Sequence, residues 1–193
     1  MHPASDLHMQ KKELRRAMKE CRALACAENP GASLALRDRF LAVIALPVNA
    51  VVAGYAAVDR EIDPLPLMEA LQARGCKLAL PVMEGKDEAL SFREWKIGDK
   101  LVRSPGRHGI PEPTATAPRV EPDVILVPML AFDRQHNRLG RGGGYYDRTL
   151  AGLRKRRKIL AIGIAFARQL VEGIPTDAHD AKLDKIVTDV EIF

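Results

Sequence analysis

The 193-residue chain carries a formal net charge of +5. That length fits one domain, and a folded chain of this size buries roughly 70% of the surface its unfolded form exposes, enough for a true core without a second domain. No apolar run approaches the ~20 residues of a membrane span, Met1-His2-Pro3 begins no signal peptide, and Cys21, Cys26 and Cys76 lack metal-ligand or redox spacing; reduced thiols in the cytoplasm are expected. In chain order, Lys11 to Ala27 is predicted to be an amphipathic helix, because Leu14, Met18, Cys21 and Leu24/Ala25 recur at helical spacing. Lys11 and Arg15 are four residues apart and share a face, so they can turn two cations toward one polyanion or form a solvated basic face. A second helix is expected from Ser33, read as its N-cap, through Leu36, Phe40 and Ile44 toward Pro47.

Ala50 to Tyr55 has the β-branched, apolar character of a buried strand. Asp63 and Pro64 then suit the cap and first turn of a helix running to Gly75. Lys77 to Val82, Leu90 to Trp95, Val124 to Val127, Ile159 to Phe166 and Ile186 to Val190 read as further strands, and the proline-rich Pro105 to Pro122 as an irregular excursion. Tyr146 to Arg157 is predicted to be a helix. Interspersed helices and continuous apolar strands imply an α/β fold with a largely parallel sheet covered on both faces. The basic run Arg154 to Lys158 falls at the end of the last helix, where cations suit the macrodipole. No aromatic side chains are interleaved with it to stack on bases, which argues against nucleic-acid binding.

The chemistry concentrates between Pro128 and Arg148. Gly140, Gly142, Gly143 and Gly144 fill four of five positions, and such a run is retained where backbone must approach something closely. Arg138 and Arg141 supply planar guanidinium forks for phosphate oxygens, consecutive glycine N–H groups can form an anion-binding concavity, and Asp147 offers an oxygen ligand of the kind Mg²⁺ prefers. The run is neither a Walker loop, which would end in Gly-Lys-Ser/Thr, nor a dinucleotide fingerprint, which would need glycine at Tyr145. A mobile glycine-rich surface loop is the bland alternative. Asp133, just after Ala131-Phe132, is read as an acceptor that shapes a strand-end turn.

Ala-Phe-Asp at 131–133, Asn-Arg-Leu-Gly at 137–140 and Gly-Gly-Gly-Tyr-Tyr-Asp-Arg at 142–148 closely resemble the signature of the 5-formyltetrahydrofolate cyclo-ligase (methenyltetrahydrofolate synthetase) family. Lys11-Lys12-Glu13-Leu14-Arg15 resembles its amino-terminal element and Glu61-Ile62-Asp63 its acidic substrate-site segment. Trp95, the run from Gly109 to Pro113 and the run from His179 to Asp184 sit where that family would place them. The resemblance implies a single domain over 1–193, an α/β/α layered sandwich akin to sugar-phosphate isomerase and coenzyme A transferase folds. It implies ATP- and Mg²⁺-dependent cyclisation of 5-formyltetrahydrofolate to 5,10-methenyltetrahydrofolate, with release of ADP and phosphate, through a phosphorylated formyl (iminium phosphate) intermediate.

The resemblance also assigns roles. Lys11, Arg15, Arg138, Leu139, Gly140, Arg141, Gly142, Gly143, Gly144, Tyr145 and Tyr146 would bind ATP, with Arg141 and Arg138 catalytic. Asp147 and Asp180 would ligate Mg²⁺, with Asp184 the second choice. Glu61 would hydrogen-bond the pterin, and Trp95, Tyr145 and Tyr146 would wall the folate; ordinary core packing is the competing reading of Trp95. His179 is read as a neighbour that positions Asp180. The implied protein is a cytoplasmic monomer whose partners are ATP and 5-formyltetrahydrofolate, with or without a polyglutamate tail, and neither nucleic acid nor membrane. Two positions depart from the family pattern: His136, where glycine is common and a positive φ costs histidine more, and His108, where an aromatic is common. An isomerase or acyl transferase on the same fold, and a binding protein without turnover, are the rival readings.

Overall fold

The structure, a computed structural model, describes residues 3–47, 49–103 and 109–193, with side chains from residue 6 onward; His108 lies outside the described residues. Its centre is a six-stranded sheet. β1 (Val51–Ala53), β2 (Lys77–Met83), β3 (Leu90–Glu94), β6 (Val124–Pro128), β9 (Leu160–Ala165) and β10 (Lys185–Thr188) lie in the order β10-β9-β6-β1-β2-β3. All neighbouring pairs are parallel except β2–β3. Two short antiparallel pairs stand outside the sheet: β4 (Leu101–Arg103) with β5 (Pro111–Pro113), and β7 (Ala131–Phe132) with β8 (Arg138–Leu139). The stretch from Pro105 to Pro122 is thus not wholly irregular, because Pro111–Pro113 folds back onto Leu101–Arg103.

Strand alternation divides the core into two halves. On β6, Val124 and Leu126 face one cluster while Ile125 and Val127 face the other, and all four are buried. The first cluster holds Leu36 and Phe40 of α2 (Ala32–Val43) and Leu67, Met68 and Leu71 of α3 (Leu65–Ala73). The second holds Leu150 and Leu153 of α4 (Tyr145–Arg154). A continuous apolar strand therefore serves two helical layers at once, as expected for a mainly parallel sheet.

α1 (Pro3–Glu28) begins eight residues before the expected Lys11, with Asp6 in its first turn accepting from Gln10 Nε2 at 3.2 Å. Its Met18 packs with Leu130, Ala131 and Leu139 around the β7–β8 pair, while Ala25 reaches the main core and Leu24 is exposed. Ser33 is not an N-cap. Its hydroxyl accepts from Asp63 N at 3.1 Å, tying α2 to the segment ahead of α3, and Asp63 Oδ1 accepts from Leu65 N at 3.0 Å as that helix starts. The basic run is more than a solvated helix end: Arg156 pairs with Glu121 at 2.9 Å and Arg157 with Asp123, so it grips the entrance to β6.

Gly163 sits in β9 where a Cβ would collide with Met129 Cε and meet Leu183 Cδ1 at 2.6 Å. The second core closes over bare backbone there. Gly163→Ala is expected to destabilise the fold by about 1–3 kcal/mol through overpacking. A lowered denaturation midpoint at unchanged m-value would show this.

Candidate active site

Chain order reverses between β1 and β6: β2 and β3 lie on one side of this seam and β9 and β10 on the other. Loops leaving the carboxyl ends of adjacent strands at such a point diverge to opposite faces and leave a crevice. Here the crevice is a cleft of about 1010 Å³, lined by Tyr55 beyond β1, Pro128 and Met129 at the end of β6, the glycine loop, Lys11 and Arg15 of α1, and the loop 177–180.

The glycine loop forms one wall. Gly142 (φ 103) and Gly144 (φ 66) adopt left-handed backbone conformations, and Gly144 caps α4. A Cβ at Gly142 would press on the Arg15 guanidinium at 3.3 Å. The loop therefore admits Arg15 from α1, whose Nε donates to Gly140 O at 2.9 Å. The first turn of α4, Tyr145 to Asp147, lines the same space, and a helix N-terminus there suits an anion. His136 has φ 64, so the departure from the family's glycine does place a Cβ-bearing residue in the left-handed region; its N–H donates to Asp133 O at 3.1 Å. Buried Asp133 shapes this turn, accepting from Gln135 N, Asn137 N, Asn137 Nδ2 and Ile174 N.

The charged groups of the cleft partner one another. Lys11 Nζ donates to Asp177 Oδ2 at 2.8 Å and to Asp180 Oδ2 at 2.6 Å. Burial alone would lower the Lys11 pKa, but the two hydrogen bonds and the charges of the same carboxylates together outweigh it and raise it. Arg138 donates through Nη1 to Ala181 O and through Nη2 to Asp147 Oδ1 at 2.5 Å, and the same Oδ1 accepts from Ala181 N at 3.1 Å. Arg138 and Asp147 thereby dock the segment carrying Asp180 against the glycine loop. His179 contributes its backbone N–H to Asp177 Oδ1 at 2.8 Å, while Asp180 Oδ2 accepts from Asp177 N at 2.8 Å.

Across the cleft, Glu61 is buried in a loop following β1. Its Oε2 accepts from Val58 N at 3.1 Å, and its Oε1 faces Arg22 Nη1 at 3.4 Å and Arg141 Nε at 3.6 Å. Burial pushes its pKa up against the opposing pull of Val58 N, Arg141 and Arg22. Arg141 also pairs with Asp59. Tyr146 is packed in the same wall, its hydroxyl pKa pushed up by burial, and the Tyr145 ring lies under the Arg148 guanidinium, 5.1 Å from its centroid.

Two expected site residues lie elsewhere. Trp95 is in the core shared with α2 and α3 and borders a separate 480 Å³ pocket; its Nε1 donates to Asp99 O at 3.2 Å, and it does not line the cleft. Asp184 accepts from Arg154 Nη2 at 2.9 Å and Ala161 N at 2.7 Å, anchoring the start of β9. Asp59, Asp177, Tyr55 and Arg22 were not singled out from the sequence. Arg22 had a legible signal, since it follows Arg15 by seven residues and stays on the same helical face. Among the described residues no three His, Cys, Asp or Glu side chains cluster as a metal site. Asp147 and Asp180, both in the cleft beside Lys11, Arg15 and Arg138, still suit Mg²⁺, which commonly takes one or two carboxylates and completes its shell with phosphate and water.

The Asp177 carboxyl is held below its ordinary pKa by the Lys11 hydrogen bond first and the His179 N–H second. Its contribution to stability is therefore present above the unfolded-state pKa and lost as pH falls through the lowered one. Lys11→Met should move the Asp177 pKa upward, though not fully to the ordinary value, and flatten the acid side of the stability profile; carboxyl NMR titration and denaturation across pH would register both.

Comparison with known proteins gives a consistent result. The sequence model of the 5-formyltetrahydrofolate cyclo-ligase family matches residues 8–189. The chain is 35% identical over 147 residues to the 5-formyltetrahydrofolate cyclo-ligase of Escherichia coli (strain K12), covering 74% of this chain and 79% of the relative. It is 24% identical over 189 residues to that of Mus musculus, covering 92% of each. The NMR structure of the Aquifex aeolicus 5,10-methenyltetrahydrofolate synthetase superposes with a TM-score of 0.76 at 33% identity, over 94% of this chain and 91% of that one. The Mycoplasma pneumoniae synthetase, at 24% identity and a TM-score of 0.72 over 93% of this chain and 98% of that one, shares the fold. With a family match spanning nearly its whole length and the family's motifs gathered in one cleft, the chain belongs to the 5-formyltetrahydrofolate cyclo-ligase family.

Proposed function

We propose that this protein converts 5-formyltetrahydrofolate to 5,10-methenyltetrahydrofolate, using ATP and releasing ADP and phosphate. Family membership makes it an enzyme of the cyclo-ligase class. The observation that carries the finer reading is the meeting of Arg141, from the glycine loop, with Glu61 in a single cleft. A phosphate donor held by that loop and a pterin held by Glu61 would lie side by side, as direct transfer between them requires.

The formyl oxygen is a poor leaving group. Its electron pair takes the γ-phosphoryl group from ATP, ADP departs, and the resulting iminium phosphate is attacked at carbon by the neighbouring folate nitrogen; the carbon–oxygen bond then breaks, phosphate leaves and the nitrogen gives up its proton. Phosphoryl transfer depends mainly on positioning and electrostatics, so the protein's part is to align donor and acceptor and to balance charge. Arg15, Lys11, Arg138 and Arg141, with the amides of Gly142 to Gly144, hold the triphosphate. Asp147 and Asp180 hold Mg²⁺, which neutralises phosphate charge when bound. Glu61 accepts from the pterin, and Tyr145 and Tyr146 supply flat apolar surface.

No described helix is long and apolar enough to cross a membrane. Our reading is of a cytoplasmic monomer acting on the folate with or without a polyglutamate tail. The deciding experiment is ATP-dependent appearance of methenyl absorbance from 5-formyltetrahydrofolate. An isomerase or acyl transferase would not need ATP, and a binding protein would take up ligand without product.

Asp147→Asn retains an oxygen for Ala181 N but removes the negative charge. It should keep the fold and lose turnover most severely at limiting Mg²⁺; an unchanged rate and Mg²⁺ dependence would remove Asp147 from the metal site.

Arg141→Lys keeps a charge and loses the planar fork. Turnover should fall on the order of 10²-fold, as for loss of one preorganised transition-state donor, while Lys11→Ala acts mainly on the KM for ATP. Full turnover in Arg141→Lys with loss in Lys11→Ala would reverse the two assignments.

A further inference from the structure

The loop carrying Glu61 is built from backbone that its residues do not favour. Asp59 (φ 50) and Arg60 (φ 61) are consecutive non-glycine residues in the left-handed region. Such conformations persist only where the surroundings hold them, and they concentrate at functional sites. Within the loop, Glu61 N donates to Val58 O and Val58 N donates back to Glu61 Oε2, each at 3.1 Å. From outside, Arg141 of the glycine loop pairs with the Asp59 and Glu61 carboxylates, and the backbone of the turn is held by Arg22 on α1. Only 2% exposed, it donates through Nη2 to Asp59 O at 2.8 Å, and its Nη1 faces Glu61 Oε1 at 3.4 Å.

Arg22 thus grips both the left-handed turn and the carboxylate that follows it. It does not line the cleft, whereas Glu61 does, so any influence on a ligand passes through Glu61. Its own burial is only partly compensated: Nε is buried with no hydrogen-bond partner. A buried guanidinium with an unmet donor is a costly way to fill a core position. Its placement accords with holding one loop in one geometry. A lysine could serve Asp59 O or Glu61 but has no rigid fork to span both.

We infer that Arg22 is a positioning residue for folate recognition, holding the Asp59–Arg60 turn so that the Glu61 carboxylate stays aimed into the cleft. The inference rests on the reading of Glu61 as the folate-side acid. Lys11, Arg15 and Arg22 then divide one helical face: the first two turn toward the triphosphate and the third fixes the acid opposite.

Steady-state kinetics with each substrate saturated in turn, on Arg22→Met and Arg22→Lys in the native and Glu61→Gln backgrounds, test it. Arg22→Met should raise the KM for 5-formyltetrahydrofolate about 10-fold, the scale of a misplaced binding group, and leave the KM for ATP within about twofold. Arg22→Lys should fall between Arg22→Met and the native protein. In the Glu61→Gln background either Arg22 substitution should add less than about twofold, because the carboxylate it aims is gone. A general structural role would move both KM values together, or multiply the folate KM equally in both backgrounds, and either result overturns the inference. If Arg22→Met does not fold, Arg22→Lys decides by the same two ratios. Glu61→Gln alone separates the levels: an unchanged folate KM there overturns the reading of Glu61 and this inference with it. A raised KM in Glu61→Gln beside a native KM in folded Arg22→Met overturns the inference alone.

Discussion

Everything in the cleft depends on the pairing of β1 with β6. These strands lie 72 residues apart at Val52↔Val124, and only their parallel register opens a crevice at their carboxyl ends. Asp123 secures the opposite end of the seam. Its Oδ2 accepts from Val51 N at 2.8 Å, its backbone N–H donates to Val51 O at 2.9 Å, its carbonyl accepts from Leu160 N at 2.9 Å, and its Oδ1 holds Arg157. One aspartate thereby registers β1, β6 and β9 together and fastens the chain leaving α4. With the amino ends closed, loops at the carboxyl ends remain where two arms of the molecule can meet. The glycine loop comes from the β7–β8 side and the Glu61 loop from the end of β1.

The cleft also shows how cations are gathered in one place, three of them each facing one or two carboxylates. Lys11 faces Asp177 and Asp180, Arg138 faces Asp147, and Arg141 faces Asp59 and Glu61. Groups gathered this closely with one sign would repel and destabilise the loops that carry them. Pairing them holds the loops in place, and the Lys11 and Arg141 pairs join segments far apart in the chain, so charge pairing and loop position are one arrangement. A triphosphate with its cation carries the same two kinds of charge. Under the proposed function it would exchange with these internal partners without leaving either set uncompensated, which limits the desolvation cost of binding.

Much of this was legible in the sequence because it is local. The apolar runs of β6 and β9, the break at Asp63-Pro64 and the arginine-studded glycine loop each announce themselves within a few residues. What the sequence did not show is where distant residues meet. Trp95 sits beside β2 and β3 in the main core because strand alternation turns it there, and no local property separates that from a ligand wall. Asp184 and Asp180 are four residues apart and look alike, yet one anchors β9 and the other reaches Lys11. Ser33 had the chemistry of a cap, but Asp63 N competes for its hydroxyl from 30 residues away. The antiparallel β4–β5 pair was hidden because prolines at 111 and 113 signal loop, although proline is tolerated at an edge.

The remaining feature without a local signature is the left-handed pair Asp59-Arg60, since neither residue is glycine and the turn has no sequence pattern of its own. Its geometry follows from the partners around it. Asp59 O is held from α1 by Arg22, the Asp59 carboxylate is held from the glycine loop by Arg141, and Glu61 receives both arginines on one oxygen. Each arginine arrives on an element that carries other groups of the cleft, α1 through Lys11 and Arg15, and the glycine loop through Gly142 to Gly144. Under the proposed function the acid and the phosphate cradle rest on the same two supports, so displacing either element would move both halves of the cleft together, whereas Arg22 sets the aim of the acid alone.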